Sequence, residues 1–242
     1  MKILAIDTSN QVMSVAAIEN QRIVGEFTTN IKGNHSQRLM PAITDLMEAV
    51  EWTPAELHRI AVAKGPGSYT GLRIGVTIAK TLAWTLKKEL VGISSLEVLA
   101  GNCQGANHYI VPMMDARRGN VYTGLYRWDQ EAEQLQQVEP DTHIALADWV
   151  KFLKTKEGTF EFVGTDWAIH EETIKDALGE RASEVAAQNQ LPRAGVLGLL
   201  AEKAEPVDSH TFVPDYLKLA EAEENWRAAH PNQLEESYVE KI

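Results

Sequence analysis

The chain has 242 residues, 44% of them apolar, with 23 Lys and Arg against 34 Asp and Glu and a formal net charge of −11. That length buries a substantial core as one large domain or two small ones. The acidic balance argues against a surface that grips phosphates directly, because nucleic-acid binders work through Lys and Arg.

The single cysteine, Cys103, excludes an internal disulfide and suits a reducing compartment. The chain enters an apolar strand at once, with no signal-peptide segment, and no run reaches transmembrane length, so a cytoplasmic protein without membrane contact is expected. Ile3, Leu4, Ala5 and Ile6 form that strand, closed by the turn residues Asp7, Thr8, Ser9 and Asn10. Strand candidates at 12–18 and 22–29 follow, which makes the opening a meander of three antiparallel strands. From Ser36 the period changes. Leu39, Ile43, Leu46, Met47 and Val50 make one stripe of an amphipathic helix, with Pro41 expected to kink it near Gln37. Thr53, Pro54, Ala55 and Glu56 read as the capping box of a short helix, and a strand over 59–64 follows.

Residues 64–75, K-G-P-G-S-Y-T-G-L-R-I-G, then join that strand to a long apolar-periodic helix over 70–86. Gly65 and Gly67 permit positive φ or close backbone approach, and Ser68 or Thr70 can cap the helix. Arg73 falls in the first helical turn, where the dipole disfavours a cation, so an anion beside it would remove the conflict. Yet Gly65, Gly67 and Gly71 give G-x-G-x-x-x-G, one residue longer than the dinucleotide fingerprint, and no lysine follows Gly71 as a Walker loop requires. A turn that carries no ligand stands equally beside the anion site. The helix itself is apolar on more than one side: Leu72, Val76, Ala79, Leu82, Ala83 and Leu86 form one face, with Ile74 and Ile78 off it. That surplus predicts deep burial or a partner helix.

A strand ending at Val91 and Ile93 leads to Ser94, Ser95, Leu96 and Glu97, a capping box, and to a polar break at 101–107, the candidate domain boundary. Beyond it an apolar strand over 109–114 ends in Asp115, then a turn with Arg117 and Arg118, then a strand over 121–128. This repeats the opening, Asp115 standing where Asp7 stood, and suggests a duplicated fold with facing loops. Helices are expected over 146–153, 169–178 and 196–204, a strand over 160–163, an aromatic docking stretch at 213–217, and an acidic helical tail beyond 219. No H-x-x-x-H, H-E-x-x-H, G-x-S-x-G or S-x-x-K motif occurs, so no local metal or serine-nucleophile signature is present.

The opening I-D-T-S-N, the stretch H-S-Q-R-L-M-P at 35–41, the glycine loop, S-S-L-E at 94–97, D-A-R-R-G at 115–119 and P-D-Y-L-K at 214–218 together resemble the bacterial TsaB (YeaZ) family. The resemblance implies an α/β, actin-like (ASKHA) duplicated fold of two lobes, each a mixed sheet flanked by helices. Residues 1–104 would form the first lobe, completed by 214–230, with 105–213 a smaller, degenerate second lobe and 231–242 an acidic tail. It implies a non-catalytic scaffold subunit of the complex that installs N6-threonylcarbamoyladenosine (t6A) in tRNA. Such a subunit pairs with and activates a TsaD-type catalytic subunit, is joined by a TsaE-type ATPase, forms a homodimer when alone and meets tRNA only through its partners. ATP and Mg would serve the complex, with no cofactor and no metal on this subunit. Where the catalytic relative carries paired histidines, this chain has only His35.

Pairing in the family runs through the two helices after the third strand and after the glycine loop, which implies Leu39, Ile43, Met47, Leu72, Ile78 and Leu82 as interface residues. Asp7, Thr8, Ser9 and Asp115 carry over as phosphate-loop positions, but Ala116 and Arg117 replace the small residues that close phosphate approach needs, so weak or no nucleotide binding is expected. The rival readings are an ASKHA-type small-molecule kinase, a glycoprotease-like peptidase and an acidic adaptor unconnected with tRNA.

Overall fold

A computed structural model describes residues 1–218. The expected tail helix beyond 219 and the acidic end at 231–242 lie outside the described residues. The N-terminal apolar run is β1 (Lys2–Asp7), and it pairs antiparallel with β2 (Met13–Glu19), which pairs antiparallel with β3 (Arg22–Thr29). Helix α1 (His35–Ala49) starts at Asn34, whose side chain accepts from the Ser36 N–H, and continues through Pro41. The capping box at Thr53 and Glu56 forms, but it opens a single 3-10 turn, Pro54–Glu56. Strand β4 (Arg59–Gly65) then returns parallel to β1, α2 (Tyr69–Leu86) follows the glycine loop, and β5 (Glu89–Ser94) closes the sheet in the order β3-β2-β1-β4-β5.

After α3 (Ser95–Ala100) the chain repeats itself. Strands β6 (Tyr109–Asp115), β7 (Asn120–Asp129) and β8 (Gln134–Ala145) form a second meander, followed by α4 (Leu146–Lys154), β9 (Phe160–Val163), α5 (Trp167–Leu178) and β10 (Ala182–Glu184). The second sheet runs β8-β7-β6-β9-β10, the same topology as the first with β6 in the place of β1. Two copies of one topology, each a mixed sheet flanked by helices, make the duplicated actin-like architecture. Strand β8 has no counterpart among the expected elements. Its sequence, Q-L-Q-Q-V-E-P-D-T-H-I-A, lies at a sheet edge and is mostly exposed or half-buried, so it carries no apolar alternation.

One core lies between the first sheet and α1 with α2, where Leu4, Ile6, Val15, Leu39, Ile43, Met47 and Val76 meet. The opposite face of that sheet packs on α6 (Ala194–Lys203) through Ile3, Ala5, Ile18, Leu197 and Ala201. This corrects the expected extent of the second lobe, 105–213, because α6 belongs with the first. The physical reason is partly Arg59, buried at the edge of β4. It donates to the carbonyls of Ala201 and Ala204 (2.8 Å) at the C-terminal end of α6 and forms an ion pair with Glu89 (2.7 Å). A cation there suits the negative end of the helix dipole.

Helix α3 is the wedge between the lobes. Val98 faces the first sheet, while Leu96, Leu99 and Ala100 face Ile110, Met114 and Tyr126 of the second. A short helix buried on all sides needs apolar residues on all sides. Beyond α6 the chain runs back along the first lobe, bridging Val207 to Leu90 and donating from the Asp215 N–H to the Lys64 carbonyl (2.7 Å).

The glycine loop meets the first turn at distances only glycine tolerates. A Cβ on Gly67, which has φ +156, would stand 2.1 Å from the Ser9 carbonyl oxygen, and one on Gly71 would stand 2.1 Å from that of Thr8. Gly71 lies inside α2, where alanine is intrinsically better by about 1 kcal/mol. Gly71→Ala is nonetheless expected to destabilise by about 1–3 kcal/mol, since backbone must move to admit the methyl. A urea denaturation midpoint at or above wild type would show that the seat is loose.

Candidate functional site

The turn after β1 is held by its own side chains. Asp7 is fully buried, and its Oδ1 accepts from the Ser9 N–H (2.9 Å) and the Ser9 hydroxyl (2.7 Å), while its Oδ2 has no partner among the described residues. Burial pushes the Asp7 carboxyl above its usual range, against the pull of the Ser9 bonds and of His35. Thr8 donates from Oγ1 to the Gly71 carbonyl (2.7 Å), the Ser68 N–H donates to the Ser9 carbonyl (2.6 Å), and the Val12 N–H is taken by Asn10 Oδ1 (2.8 Å). Ser68, not Thr70, caps α2, accepting from the Gly71 N–H at 3.3 Å. Thr8 and Ser9 thus lie directly against the glycine loop.

Arg73 does not face an anion either. Its Nε donates to the Tyr216 hydroxyl (3.2 Å), and its guanidinium lies over the Tyr69 ring, 4.5 Å from the centroid. Tyr69 and Tyr216 in turn meet ring to ring at 5.0 Å. The cation at the start of α2 is therefore offset by aromatic faces and a hydroxyl, which corrects the electrostatic argument for a bound negative group. Gly65 sits beside Asp215 at the point where the C-terminal segment crosses β4.

The second turn is built differently. The Asp115 N–H donates to Asp166 Oδ2 (2.8 Å), and Asp115 Oδ1 pairs with His170 Nε2 (3.1 Å). The Ala116 N–H is taken by the Asn120 carbonyl (2.9 Å). Arg117 and Arg118 both adopt left-handed backbone, φ 65° and 54°, a conformation costing non-glycine residues about 1–2 kcal/mol each. The Asn120 side chain offsets part of that by donating to both their carbonyls (3.3 Å).

Between the two turns lies a cleft of about 800 Å³. Ser9, Gly67, Ser68 and Thr70 line it from the first lobe, Asp115 and Arg117 from the second. Asp7 and Thr8 do not line it. Of the four phosphate-loop candidates, the structure brings Ser9 and Asp115 together across the cleft and leaves Asp7 and Thr8 inside the first lobe. Cys103 is buried, and its thiol is pushed up to about 12, first by burial and then by Glu161. It is a core residue without nucleophilic character near neutral pH.

The helix pair is the other notable surface. Leu39, Ile43, Met47 and Leu72 are all inside the core of the first lobe, at most 7% exposed, which corrects their expected place on an interface. Ile78 and Leu82 are half-buried at its edge. The outward face instead carries Met40 (41% exposed), Ile74, Ile78 and Trp84 (64% exposed), with a shallow groove of about 500 Å³ bounded by Ser36, Tyr69, Arg73 and Ile78. The stripe that periodicity detects faces the sheet. The apolar residues off that stripe are the ones left outside.

A family model described as TsaD, tRNA N6-adenosine threonylcarbamoyltransferase, matches residues 22–226. The chain is 46% identical over 226 residues to the tRNA threonylcarbamoyladenosine biosynthesis protein TsaB of Bacillus subtilis, covering 93% of this chain and 98% of the relative. It belongs to the TsaB family. The Escherichia coli TsaB is 30% identical, over 86% of this chain and 94% of its own length. A solved YeaZ from Pseudomonas aeruginosa superposes with a TM-score of 0.75 at 27% identity, covering 89% of this chain and 99% of that one. TsaB membership thus extends over both lobes, including β7 to β10, where the sequence motifs thin out. No helix of the described residues is long and apolar enough to cross a membrane.

The buried Asp7 gives a signed prediction. An acid whose folded value lies above its unfolded one, here above 3.8, stabilises the fold when protonated and costs stability as pH rises through that window. Asp7→Asn keeps an acceptor for Ser9 and should gain stability on wild type as pH rises above about 4, levelling once Asp7 is ionised. Urea unfolding of both proteins at steps between about pH 4 and pH 8 measures this. A loss at neutral pH would instead mark a carboxylate held ionised.

Proposed function

We propose that this chain takes part in t6A biosynthesis as a non-catalytic scaffold, pairing through the outer face of α1 and α2 with a TsaD-type catalytic subunit that it activates. A TsaE-type ATPase joins the pair, the free chain forms a homodimer through the same face, and tRNA is met through the partners. The family supports the pathway, and the observation that carries the pairing is the apolar outer face of the helix pair, where Met40 and Trp84 are exposed and the half-buried Ile74 and Ile78 line the groove. Trp and Met exposed together mark surfaces that a partner covers.

The construction of the two turns supports a subunit that works without a cofactor of its own. Phosphate loops work by offering backbone N–H groups to oxygens. Here the N–H groups of Ser9, Val12, Asp115 and Ala116 are already taken by Asp7, Asn10, Asp166 and Asn120. Two of these acceptors are side chains of the first turn itself, one is a side chain at the start of α5 and one is a backbone carbonyl, so a phosphate would have to break several hydrogen bonds to make its own. Helix α1 offers one histidine, His35, whose Nε2 lies 2.8 Å from the Asn10 carbonyl. The cleft between the turns favours the rival kinase reading, and nucleotide-dependent turnover by the chain alone would establish it.

Charge reversal separates the two faces of the helix pair. Ile78→Glu should leave the monomer folded and weaken association with a TsaD-type partner by at least about 2 kcal/mol, roughly thirtyfold in Kd. Met47→Glu should instead unfold the chain, because an unpaired carboxylate cannot be held in that core. Light scattering after size exclusion reads mass, and circular dichroism reads folding. An Ile78→Glu chain that pairs as wild type does would remove α2 from the interface.

A further inference from the structure

Residues Asp215 and Leu217 line the large cleft on one side and a second, smaller cavity of about 360 Å³ on the other. Its wall from the second lobe is fixed. Asp141 of β8 accepts from the Ser94 hydroxyl, from the Tyr126 hydroxyl (2.5 Å) and from Gln137 Nε2 (3.1 Å), so both its oxygens are engaged. Opposite Asp141, β7 is irregular in its pairing at Gly124, where a Cβ would come within 2.6 Å of Asp141 Oδ1. Bulge and glycine together admit the carboxylate.

Among the described residues three charged side chains lining this cavity have no such engagement: Asp215, which is exposed, and Glu97 and Lys64, which are half-buried. In the capping box expected at Ser94, Glu97 would turn back to the Ser94 N–H. Ser94 does cap α3, accepting from the N–H groups of Leu96 and Glu97, but the Glu97 carboxyl lines the cavity and makes no hydrogen bond among the described residues. The Lys64 ammonium lines it from β4, also without a hydrogen bond or ion pair there. The two sense each other's charge without touching. Glu97 is raised above the usual carboxylate range by burial and by Asp141, and Lys64 pulls it down. Half-buried charges left without partners are costly unless something else completes them.

We propose that this cavity binds a small α-amino acid as its zwitterion, with the ammonium on Glu97 and the carboxylate on Lys64. A simple anion meets Glu97, Asp141 and Asp215 in the same wall, and a simple cation meets Lys64. A molecule carrying both charged groups on one carbon satisfies both ends. Ser94, Tyr126 and Gln137 leave a mainly polar remainder, which suits a small or hydroxylated side chain. The site lies apart from the outer face of α1 and α2, so its occupancy is independent of the pairing proposed above.

The test is isothermal titration of the full chain alone with glycine, L-serine and L-threonine, then with N-acetyl-L-serine and L-serinamide, which lack the ammonium and the carboxylate respectively. Saturable binding of at least one free amino acid is expected, weakened about tenfold or more by Lys64→Met and by Glu97→Gln, and for serine by each derivatisation as well, about 1.4 kcal/mol. Melting curves of the two variants confirm that they fold. Should either fail to fold, the derivatives on the wild-type chain still decide whether both charges are read. No saturable heat with any of the three amino acids, or binding unaffected by derivatisation or by the substitutions in folded protein, overturns the proposal.

Discussion

Everything in the first lobe converges on the contact of two backbones. The turn at Thr8 and Ser9 lies on the loop at Gly67 and Gly71 with no side chain between them, and the Ser68 N–H and Thr8 hydroxyl close it with hydrogen bonds. The meander, β4 and α2 are thereby locked into one relative position. The same contact lies beside the N-terminus of α2, whose Ser68 and Thr70 line the cleft. A loop that looks built for phosphate has been used to seat a piece of the protein itself.

The second lobe repeats the topology but not this seating. Its turn hangs on Asp166, His170 and Asn120, and it holds two consecutive arginines in left-handed backbone. Duplication of a fold therefore does not duplicate the chemistry of its turns. The cleft between them is roomy, and in each turn some backbone N–H groups are already taken by the protein's own acceptors. That asymmetry underlies the reading of the chain as a partner in a reaction carried out elsewhere, with the exposed face of α1 and α2 as the part that matters to the partner.

The sequence showed the meander, the long helices, the duplication and the importance of residues 64–75, because glycine spacing and apolar period are local signals. It did not show what the glycines were for. Nothing in K-G-P-G-S-Y-T-G says that the close neighbour is Ser9, some sixty residues away in sequence, rather than a ligand. Strand β8 was hidden by its polar edge position, and α6 gave no sign of which sheet it would cover. Leu39, Ile43 and Met47 formed a clean stripe, and such a stripe identifies a buried face without saying what buries it. Here it is the chain's own sheet. Ile74 and Ile78, which fall off the stripe of α2, were the legible trace of the outer surface, and Glu97 read as a cap residue because its spacing fits one.

A nucleotide phosphate at the first turn would have to compete with hydrogen bonds that the protein already makes there. Isothermal titration of the chain alone with ATP and magnesium tests it most directly. No saturable binding in the micromolar range is expected. Micromolar affinity, lost on Asp115→Asn, would contradict it and return the cleft to the role of a working nucleotide site.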